Sequence, residues 1–171
     1  MTATLKTISP VDGSVYVERP YAVESDIANA LTHAVRAGEV WREVPLDERA
    51  LLCGRAVDAI AAARDDIATE ITWQMGRPIR YVPGEIGGFE ERARHMIGAA
   101  AEALGDIPAE EKDGFTRFIR REPLGLVFVI APWNYPYLTS VNSVLPALMA
   151  GNAVILKHSA QTPLVSERYA E

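Results

Sequence analysis

The apolar and polar positions along the first hundred residues follow a helical pattern. Apolar side chains recur there every three or four residues, which predicts amphipathic helices rather than strands. The helices are predicted to begin near Ser25, Pro45, Asp66 and Gly84. We expect the first to end at Gly38, because glycine favours the left-handed backbone that often follows a helix.

Each predicted helix has an apolar face that we expect to be buried. The members of these faces are Ile27, Leu31 and Val35 in the first helix, Leu52, Ala56, Ala59, Ile60 and Ala63 in the second, Ile67 and Ile71 in the third, and Ile86, Phe89, Ala93, Met96, Ile97 and Ala100 in the fourth. The third helix is expected to stop at Gly76. Ahead of the helices, Asp12 and Gly13 favour a turn between two short extended segments.

After the fourth helix the pattern becomes that of strands. "FTRFIRRE", residues 115–122, is predicted to be an exposed strand. "LVFVI", residues 126–130, and "AVILK", residues 153–157, are continuous apolar runs, which predict strands covered on both faces. An apolar helix over about 140–150 lies between them. Strand, helix and strand of this length predict a parallel, right-handed βαβ unit, so the fold class is α/β.

A short loop with two prolines follows the first of these strands. It reads Pro132-Trp133-Asn134-Tyr135-Pro136, and its prolines should make the backbone stiff. Ligands of open parallel sheets bind beyond the carboxyl ends of the strands, so Asn134 and Lys157 are expected to face one crevice. From position alone, Asn134 is either a turn residue or an amide donor to a substrate oxygen. Lys157 is either a solvated strand end or a cationic ligand for a nucleotide.

Composition and charge narrow the classes of partner. The chain has 171 residues, 49% of them hydrophobic, and a formal net charge of -6, which argues against nucleic acid or an anionic membrane. Its single cysteine, Cys53, fits a reducing cytoplasm and lies on a predicted helix, where it is expected to be a core residue. The three histidines lack the spacing of metal ligands, so no metal site is predicted. From the residues alone, the chain is part of a nucleotide- or small-molecule-binding α/β domain.

Several motifs resemble those of a known family. "SPVDGS", "MGRPI", "EPLGLVFVIAPWNYP" and "LPALMAGNAVILKHSAQTP" resemble the amino-terminal portion of an NAD(P)-dependent aldehyde dehydrogenase. The resemblance implies the first βαβ unit of a Rossmann-like cofactor-binding domain, a small aldehyde as substrate, NAD or NADP as cofactor, and assembly into a homo-oligomer. In that family a cysteine thiol attacks the aldehyde, hydride passes to the nicotinamide, and water hydrolyses the thioester.

The resemblance also implies roles for individual residues. Asn134 matches the asparagine whose side-chain amide stabilises the oxyanion, and Trp133 matches the aromatic that lines the cofactor cleft. Lys157 matches the lysine that binds the adenosine ribose hydroxyls. Ser159 and Ala160, two and three residues after it, are expected in the same cofactor-binding site. The absence of a G-x-G-x-x-G motif agrees with this family, which binds its cofactor without one.

The sequence departs from the family pattern at two positions near this lysine. Ala160 stands where the family often has a glutamate that binds the ribose of NAD, and His158 replaces a proline or small residue. Loss of that glutamate removes a charge that disfavours a 2′-phosphate, so NADP is expected to be accepted at least as well as NAD.

The resemblance covers only the beginning of the family's length. We expect three parts: residues 1–110, mostly helical; residues 111–125, a strand segment resembling the family's oligomerisation arm; and residues 126–171, an incomplete βαβ unit. The family's general-base glutamate and nucleophilic cysteine lie beyond this length, and Cys53 does not match that cysteine. The chain alone is therefore expected to be inactive and to self-associate. A non-catalytic nucleotide-binding or assembly module stays open as the alternative, and an intact small nucleotide-binding domain is a third.

Overall fold

A β-hairpin, a group of helices and a parallel βαβ unit follow one another along the chain. The computed structural model describes residues 3–171. Its elements are β1 (Thr4–Ile8), β2 (Val15–Pro20), α1 (Glu24–Trp41), α2 (Leu46–Ala62), α3 (Arg64–Met75), α4 (Val82–Leu104), β3 (Ile107–Pro108), β4 (Phe118–Ile119), β5 (Leu126–Ile130), α5 (Pro136–Met149), β6 (Ala153–Lys157) and α6 (Leu164–Ala170). A short 3₁₀ turn, Ile79–Tyr81, precedes α4. The predicted α/β fold class is confirmed.

The amino-terminal hairpin pairs β1 with β2 in antiparallel fashion. The predicted turn lies at Asp12 and Gly13, where Gly13 has a φ of 78° and the Ser14 amide donates to Asp12 Oδ1 at 2.9 Å. On the same hairpin, Tyr16 stacks on Trp73 of α3 with 5.6 Å between ring centroids. The hairpin is thereby attached to α3 rather than to the βαβ unit alone.

The hydrophobic core lies around α4, which packs between α2, α3 and α5. Its central members are buried and are Cys53, Val57, Ile60, Ile67, Ile71, Ile86, Phe89, Ala93, Tyr137, Val141 and Leu145. The predicted inner faces of the third and fourth helices are largely confirmed. The face of α2 differs, because Val57 is buried together with Cys53, whose burial was predicted, while Ala56 and Ala59 are exposed. The helix presents its larger side chains to α4 and leaves those alanines at the surface.

The prediction that Gly38 ends the first helix is wrong. Helix α1 continues to Trp41, and Gly38 is buried within it. A side chain at Gly38 would place its Cβ 3.1 Å from the Gly125 carbonyl oxygen and 3.3 Å from Ala153 Cβ. Glycine therefore allows the helix to pack closely against the starts of β5 and β6. Further along the helix, the Trp41 indole N–H donates to the Leu148 carbonyl at 2.9 Å.

The predicted βαβ unit is confirmed, with β5 and β6 parallel and in register from Leu126 opposite Ala153 to Ile130 opposite Lys157. The prediction that both strands are covered on both faces is wrong. Phe128 and Ile130 are 60% and 68% exposed, while Val129 on the other face is buried. Helix α5 covers that buried face, whereas α1 meets the opposite face at the beginning of the strands.

Two further segments differ from their predicted bounds. Helix α5 begins at Pro136 rather than near residue 140, because proline is well accommodated at the first helical position, where no amide is needed. Residues 115–122 form only a short strand, in which Phe118 and Ile119 pair with β3.

The apolar face predicted for the first helix is exposed rather than buried. It is formed by Ile27, Leu31 and Val35 of α1. Within residues 3–171, no helix has the length and apolarity needed to cross a membrane.

Candidate functional site

The loops that follow β5 and β6 lie side by side at the carboxyl end of the two-stranded sheet. The Ala131 amide, directly after β5, donates to the carbonyl of Lys157, the last residue of β6, at 3.1 Å. Asn134 is three residues further along the first loop, and Ser159 and Ala160 follow Lys157 in the second. The fold therefore brings both groups of candidate residues to one end of the sheet.

The loop after β5 makes a sharp turn at Tyr135. This residue has φ and ψ of 49° and 57°, and among residues 3–171 it is the only non-glycine residue with a positive φ. Left-handed backbone is unfavourable for a bulky side chain and persists only where its surroundings hold it. Pro136 then starts α5 with the φ that a helix requires. The result is a fixed change of direction directly after Asn134.

Two charged side chains, those of Glu85 and Arg77, contact the residues of this turn. Glu85 of α4 has a fully buried side chain and lies 2.6 Å from Arg77 Nη1. Its other oxygen accepts a hydrogen bond from the Tyr137 amide at 3.0 Å. The Arg77 guanidinium also stacks over the Tyr135 ring, 4.3 Å from its centroid. Burial raises the pKa of the Glu85 carboxyl, against the opposing effects of the Tyr137 amide and the Arg77 charge.

Asn134 is exposed in an open depression of about 350 Å³. The depression is lined by Met75, Gly76, Arg77, Trp133, Asn134 and Tyr135. Within residues 3–171 no hydrogen bond to the Asn134 side chain is found, while its backbone oxygen accepts a long bond from the Thr139 hydroxyl at 3.4 Å. A turn residue that bonds its own backbone would use its side chain, so the amide N–H is available for a ligand.

The loop after β6 is held through its backbone and leaves Lys157 exposed. Ser159 Oγ accepts a hydrogen bond from the Gln161 amide at 3.2 Å. The Ala160 carbonyl accepts one from the Thr7 hydroxyl of β1 at 2.8 Å. Ala160 itself is exposed, so its small side chain leaves space beside the lysine.

His158 faces the interior, which its position next to Lys157 did not reveal. It is 6% exposed, and its Nδ1 lies 3.0 Å from the Thr162 hydroxyl while its Nε2 lies 3.5 Å from the Pro136 carbonyl. Since a carbonyl only accepts, Nε2 carries the proton and Nδ1 accepts from Thr162. Burial lowers the pKa of His158, against the opposing effect of the hydrogen bond to the Pro136 carbonyl and with a smaller lowering by the Lys157 charge. The ring is therefore a neutral link between the two loops.

Gln74 in α3 is completely buried, and sequence reasoning did not identify it as a residue that holds the segment after β6. Its Oε1 accepts a hydrogen bond from the Leu164 amide at 3.0 Å, which caps α6. Its backbone carbonyl accepts a second bond from the Gln161 side chain. A glutamine or glutamate on a helix usually lies at the surface, so no local signal distinguishes Gln74 or Glu85 from ordinary surface residues.

Cys53 is a core residue, as predicted. It is 4% exposed, and burial raises the pKa of its thiol. It borders an apolar groove of about 490 Å³ between α2, α5 and α6, which contains none of the candidate site residues. A thiol there is protonated and lines a groove separate from the two loops of the candidate site.

Comparison with known proteins identifies the class to which this fold and these loops belong. The model of the aldehyde dehydrogenase family matches residues 1–171, so the chain belongs to that family. It is 37% identical over 161 residues to a 3,6-anhydro-α-L-galactose dehydrogenase from Streptomyces coelicolor, a match covering 94% of this chain and 32% of the relative. The chain spans about a third of the length of the curated relatives it matches.

Solved structures show the same architecture. PnpE in complex with nicotinamide adenine dinucleotide superposes with a TM-score of 0.91 at 30% identity, over 99% of this chain and 35% of PnpE. An NADP-dependent glyceraldehyde-3-phosphate dehydrogenase from Bacillus halodurans, complexed with NADP, gives a TM-score of 0.86 at 25% identity, over 98% of this chain and 37% of the enzyme. The predicted resemblance to the amino-terminal portion of the family is confirmed.

Proposed function

We propose that this chain serves as the amino-terminal part of an NAD(P)-dependent aldehyde dehydrogenase, which oxidises an aldehyde to a carboxylic acid. Family membership and the fold support the reaction class. The single observation that carries the proposal is Asn134, an exposed amide with no internal partner found in residues 3–171, on a braced loop at the carboxyl end of a parallel strand.

In this proposal Asn134 donates its side-chain N–H to the oxygen of the tetrahedral intermediate. Negative charge develops on that oxygen when a nucleophile attacks the aldehyde carbon. A donor that already points at this position loses nothing by reorienting as the charge forms, and such a donor contributes about 3 kcal/mol to the transition state. Because a hydrogen bond to a charged oxygen is stronger than one to a neutral carbonyl, the Asn134 amide stabilises the anion more than it stabilises the uncharged aldehyde.

The loop after β6 is proposed to hold the cofactor. The exposed ammonium of Lys157 suits ribose hydroxyls or a phosphate, and Ser159 and Ala160 lie beside it. Trp133, half-exposed on the neighbouring loop, is proposed to line the same cleft. These residues fit a nucleotide, because they combine a cationic donor with a small side chain and an exposed aromatic surface. NAD or NADP, when bound, supplies the acceptor for the hydride, and both occur in the structural relatives.

The nucleophile and the general base are proposed to come from outside residues 1–171. Covalent oxidation of an aldehyde needs a thiolate next to the carbonyl and a base that activates water. Cys53 is the only thiol of the chain, and it is buried with a raised thiol pKa. We also propose a cytoplasmic location, consistent with this single reduced cysteine, and assembly of copies through the arm at residues 111–125, whose Phe115, Phe118 and Ile119 are exposed.

The proposal is tested by a fusion protein in which this chain replaces the matched segment of the Streptomyces coelicolor relative, called the chimera below. We expect the folded chimera to form NAD(P)H from 3,6-anhydro-α-L-galactose or from a small aldehyde such as acetaldehyde. The matched control is the same fusion with Asn134→Ala, which should fold equally well and turn over at least ~100-fold more slowly. A chimera that folds and binds NAD(P) without any turnover would contradict the proposal and support the non-catalytic module.

A further inference from the structure

We propose that Arg77 and Glu85 are positioning residues that aim the Asn134 amide by holding Tyr135 and the first turn of α5. The inference rests on the proposed function of Asn134 and names the side chains through which the fold controls it. Neither residue is in either loop at the carboxyl end of the sheet. Arg77 follows α3, and Glu85 lies in the first turn of α4.

Glu85 holds the beginning of α5. Pro136 has no amide hydrogen, so the Tyr137 amide is the first donor of the helix, and it donates to Glu85 Oε1 at 3.0 Å. Tyr135, at the N-cap position, provides no side-chain cap. A carboxylate from α4 therefore caps α5, and its negative charge lies at the positive end of the helix. Such a buried carboxylate needs compensation, which Arg77 provides at 2.6 Å.

Arg77 holds the residue next to Asn134. One edge of its guanidinium binds Glu85, and its face covers the Tyr135 ring at 4.3 Å. Tyr135 has the left-handed backbone that determines the direction of the chain on leaving Asn134. The planar guanidinium can form a hydrogen bond and stack at the same time, which a lysine ammonium cannot do. One arginine thus connects the buried carboxylate to the strained residue.

This connection matters because Asn134 has little packing of its own. Its side chain is exposed in a depression that Arg77 and Tyr135 also line, and it has no hydrogen-bond partner found in residues 3–171. The orientation of the amide therefore depends on the backbone on either side of it. Trp133, on the other side, is itself half-exposed. The clamp of Arg77 and Glu85 consequently restrains the chain on the carboxyl-terminal side of Asn134 through side chains from two other segments.

The first test compares two arginines of the same segment in the chimera. Arg77 stacks on Tyr135, and Arg80 stacks on Tyr81 at 4.8 Å on the surface, so Arg80→Ala is the matched control. We expect Arg77→Ala to lower kcat about 10-fold or more with little change in the KM for either substrate, since an oxyanion donor acts in the transition state. Arg77→Lys should fall between, because it keeps the charge and loses the stacking. Equal kcat values for Arg77→Ala and Arg80→Ala would overturn the proposal.

A double variant separates positioning from a general structural role. If Arg77 acts through Asn134, then Arg77→Ala should slow turnover no further in a chimera that already carries Asn134→Ala. Losses that simply multiply would show that Arg77 acts by another route and would overturn the proposal. Thermal unfolding of every variant establishes that the compared enzymes are folded, and Arg77→Lys remains informative if Arg77→Ala does not fold.

Hydrogen exchange tests the clamp without reference to activity. Glu85→Gln keeps the shape of the side chain and removes its charge, and Glu90→Gln, which disturbs the exposed pair with Arg94, is its matched control. We expect faster exchange in a peptide covering residues 133–142 for Glu85→Gln alone. Unchanged exchange there would show that Glu85 does not hold α5. If Asn134→Ala left turnover intact, the proposed function of Asn134 would fail, while exchange would still report separately on the clamp.

Discussion

The two loops at the carboxyl end of the sheet are held in opposite ways. The loop after β5 is braced by charge, through the buried Glu85 carboxylate and the Arg77 guanidinium. The loop after β6 is held by neutral hydrogen bonds, such as those of the Ala160 carbonyl and the His158 ring. The first loop contains a strained tyrosine and a short amide side chain, whereas a long, exposed lysine ends the strand directly before the second loop.

The difference corresponds to what each loop must do. A short amide reaches only one place, so its backbone has to be held in direction, and buried ionic contacts provide that at the cost of desolvation. Lysine has a flexible four-carbon stem and a point charge, so it can adjust to a ligand without a rigid support. We therefore expect changes in the first loop to affect turnover and changes in the second to affect cofactor binding.

The largest expected effect concerns the thiol nucleophile, which neither loop contains. The isolated chain should form no NAD(P)H from any aldehyde, because the only thiol is Cys53, with its burial and raised pKa. Native Cys53 should also react slowly with a disulfide reagent such as dithionitrobenzoate, and rapidly once denaturant exposes it. NAD(P)H absorbance and thiol titration provide the measurements. Aldehyde-dependent reduction of NAD(P) by the isolated chain would contradict both the burial argument and the need for outside residues.

The next effect contrasts the two side chains directly in the chimera. Asn134→Ala should lower kcat by about 10²-fold or more while the KM for the cofactor stays nearly constant, and Asn134→Asp should be worse because a carboxylate repels the oxyanion. Lys157→Ala should do the reverse, raising the cofactor KM about 10-fold with a smaller change in kcat. Steady-state kinetics with both cofactors distinguishes the patterns. An Asn134→Ala enzyme with near-normal turnover would contradict the assignment.

The sequence predicted the parts of this site that depend on local pattern. The apolar runs around α5 specify the βαβ unit, and its geometry places Asn134 and Lys157 at one end of the sheet. Local chemistry also located the turn at Gly13 and the end of α3 at Gly76, both of which have positive φ. In these cases the residues that decide the structure are neighbours in the chain.

The sequence failed where the decisive partner is distant along the chain. Glu85 binds Tyr137 across 52 positions and Gln74 binds Leu164 across 90, and neither residue differs locally from a solvated helix residue. Gly38 was assigned to a helix end because its packing against β5 and β6 could not be seen. Phe128, in turn, was assigned to a covered face because a strand's composition does not show which helices are present to cover it.

A smaller effect concerns the choice of cofactor by the second loop. His158 directly follows Lys157 in the sequence, but its burial and lowered pKa make it neutral, so Lys157 is the cation near the proposed ribose site. The exposed Ala160 still provides no negative charge against a 2′-phosphate. We expect the chimera to use NADP at least as well as NAD, and Ala160→Glu to lower kcat/KM for NADP about 10-fold or more. A 100-fold preference of the unmodified chimera for NAD would contradict this expectation.

The smallest expected effect concerns the point at which the two loops meet. His158 donates from Nε2 to the Pro136 carbonyl and accepts from Thr162 at Nδ1, an arrangement that requires a neutral ring. Its pKa is lowered in the folded chain, so below the unfolded value of about 6.5 the unfolded state binds the proton more readily. This contribution to stability is present at pH 7.5 and is lost as pH falls toward the lowered folded pKa. The thermal midpoint should fall accordingly, by about 2–4 °C for each kcal/mol lost.

The variant His158→Gln isolates this contribution, because glutamine is neutral throughout the range and can still donate to Pro136. We expect its thermal midpoint to change less between pH 7.5 and pH 6 than that of the unmodified chain. Glu85, whose pKa is raised, acts in the opposite direction as pH falls, and it is common to both proteins, so the comparison cancels it. His95→Gln, at an exposed position on α4, is the matched control and should retain the full pH dependence. If the thermal midpoints of His158→Gln and His95→Gln depended on pH in the same way, the neutral His158 link between the two loops would not contribute to stability.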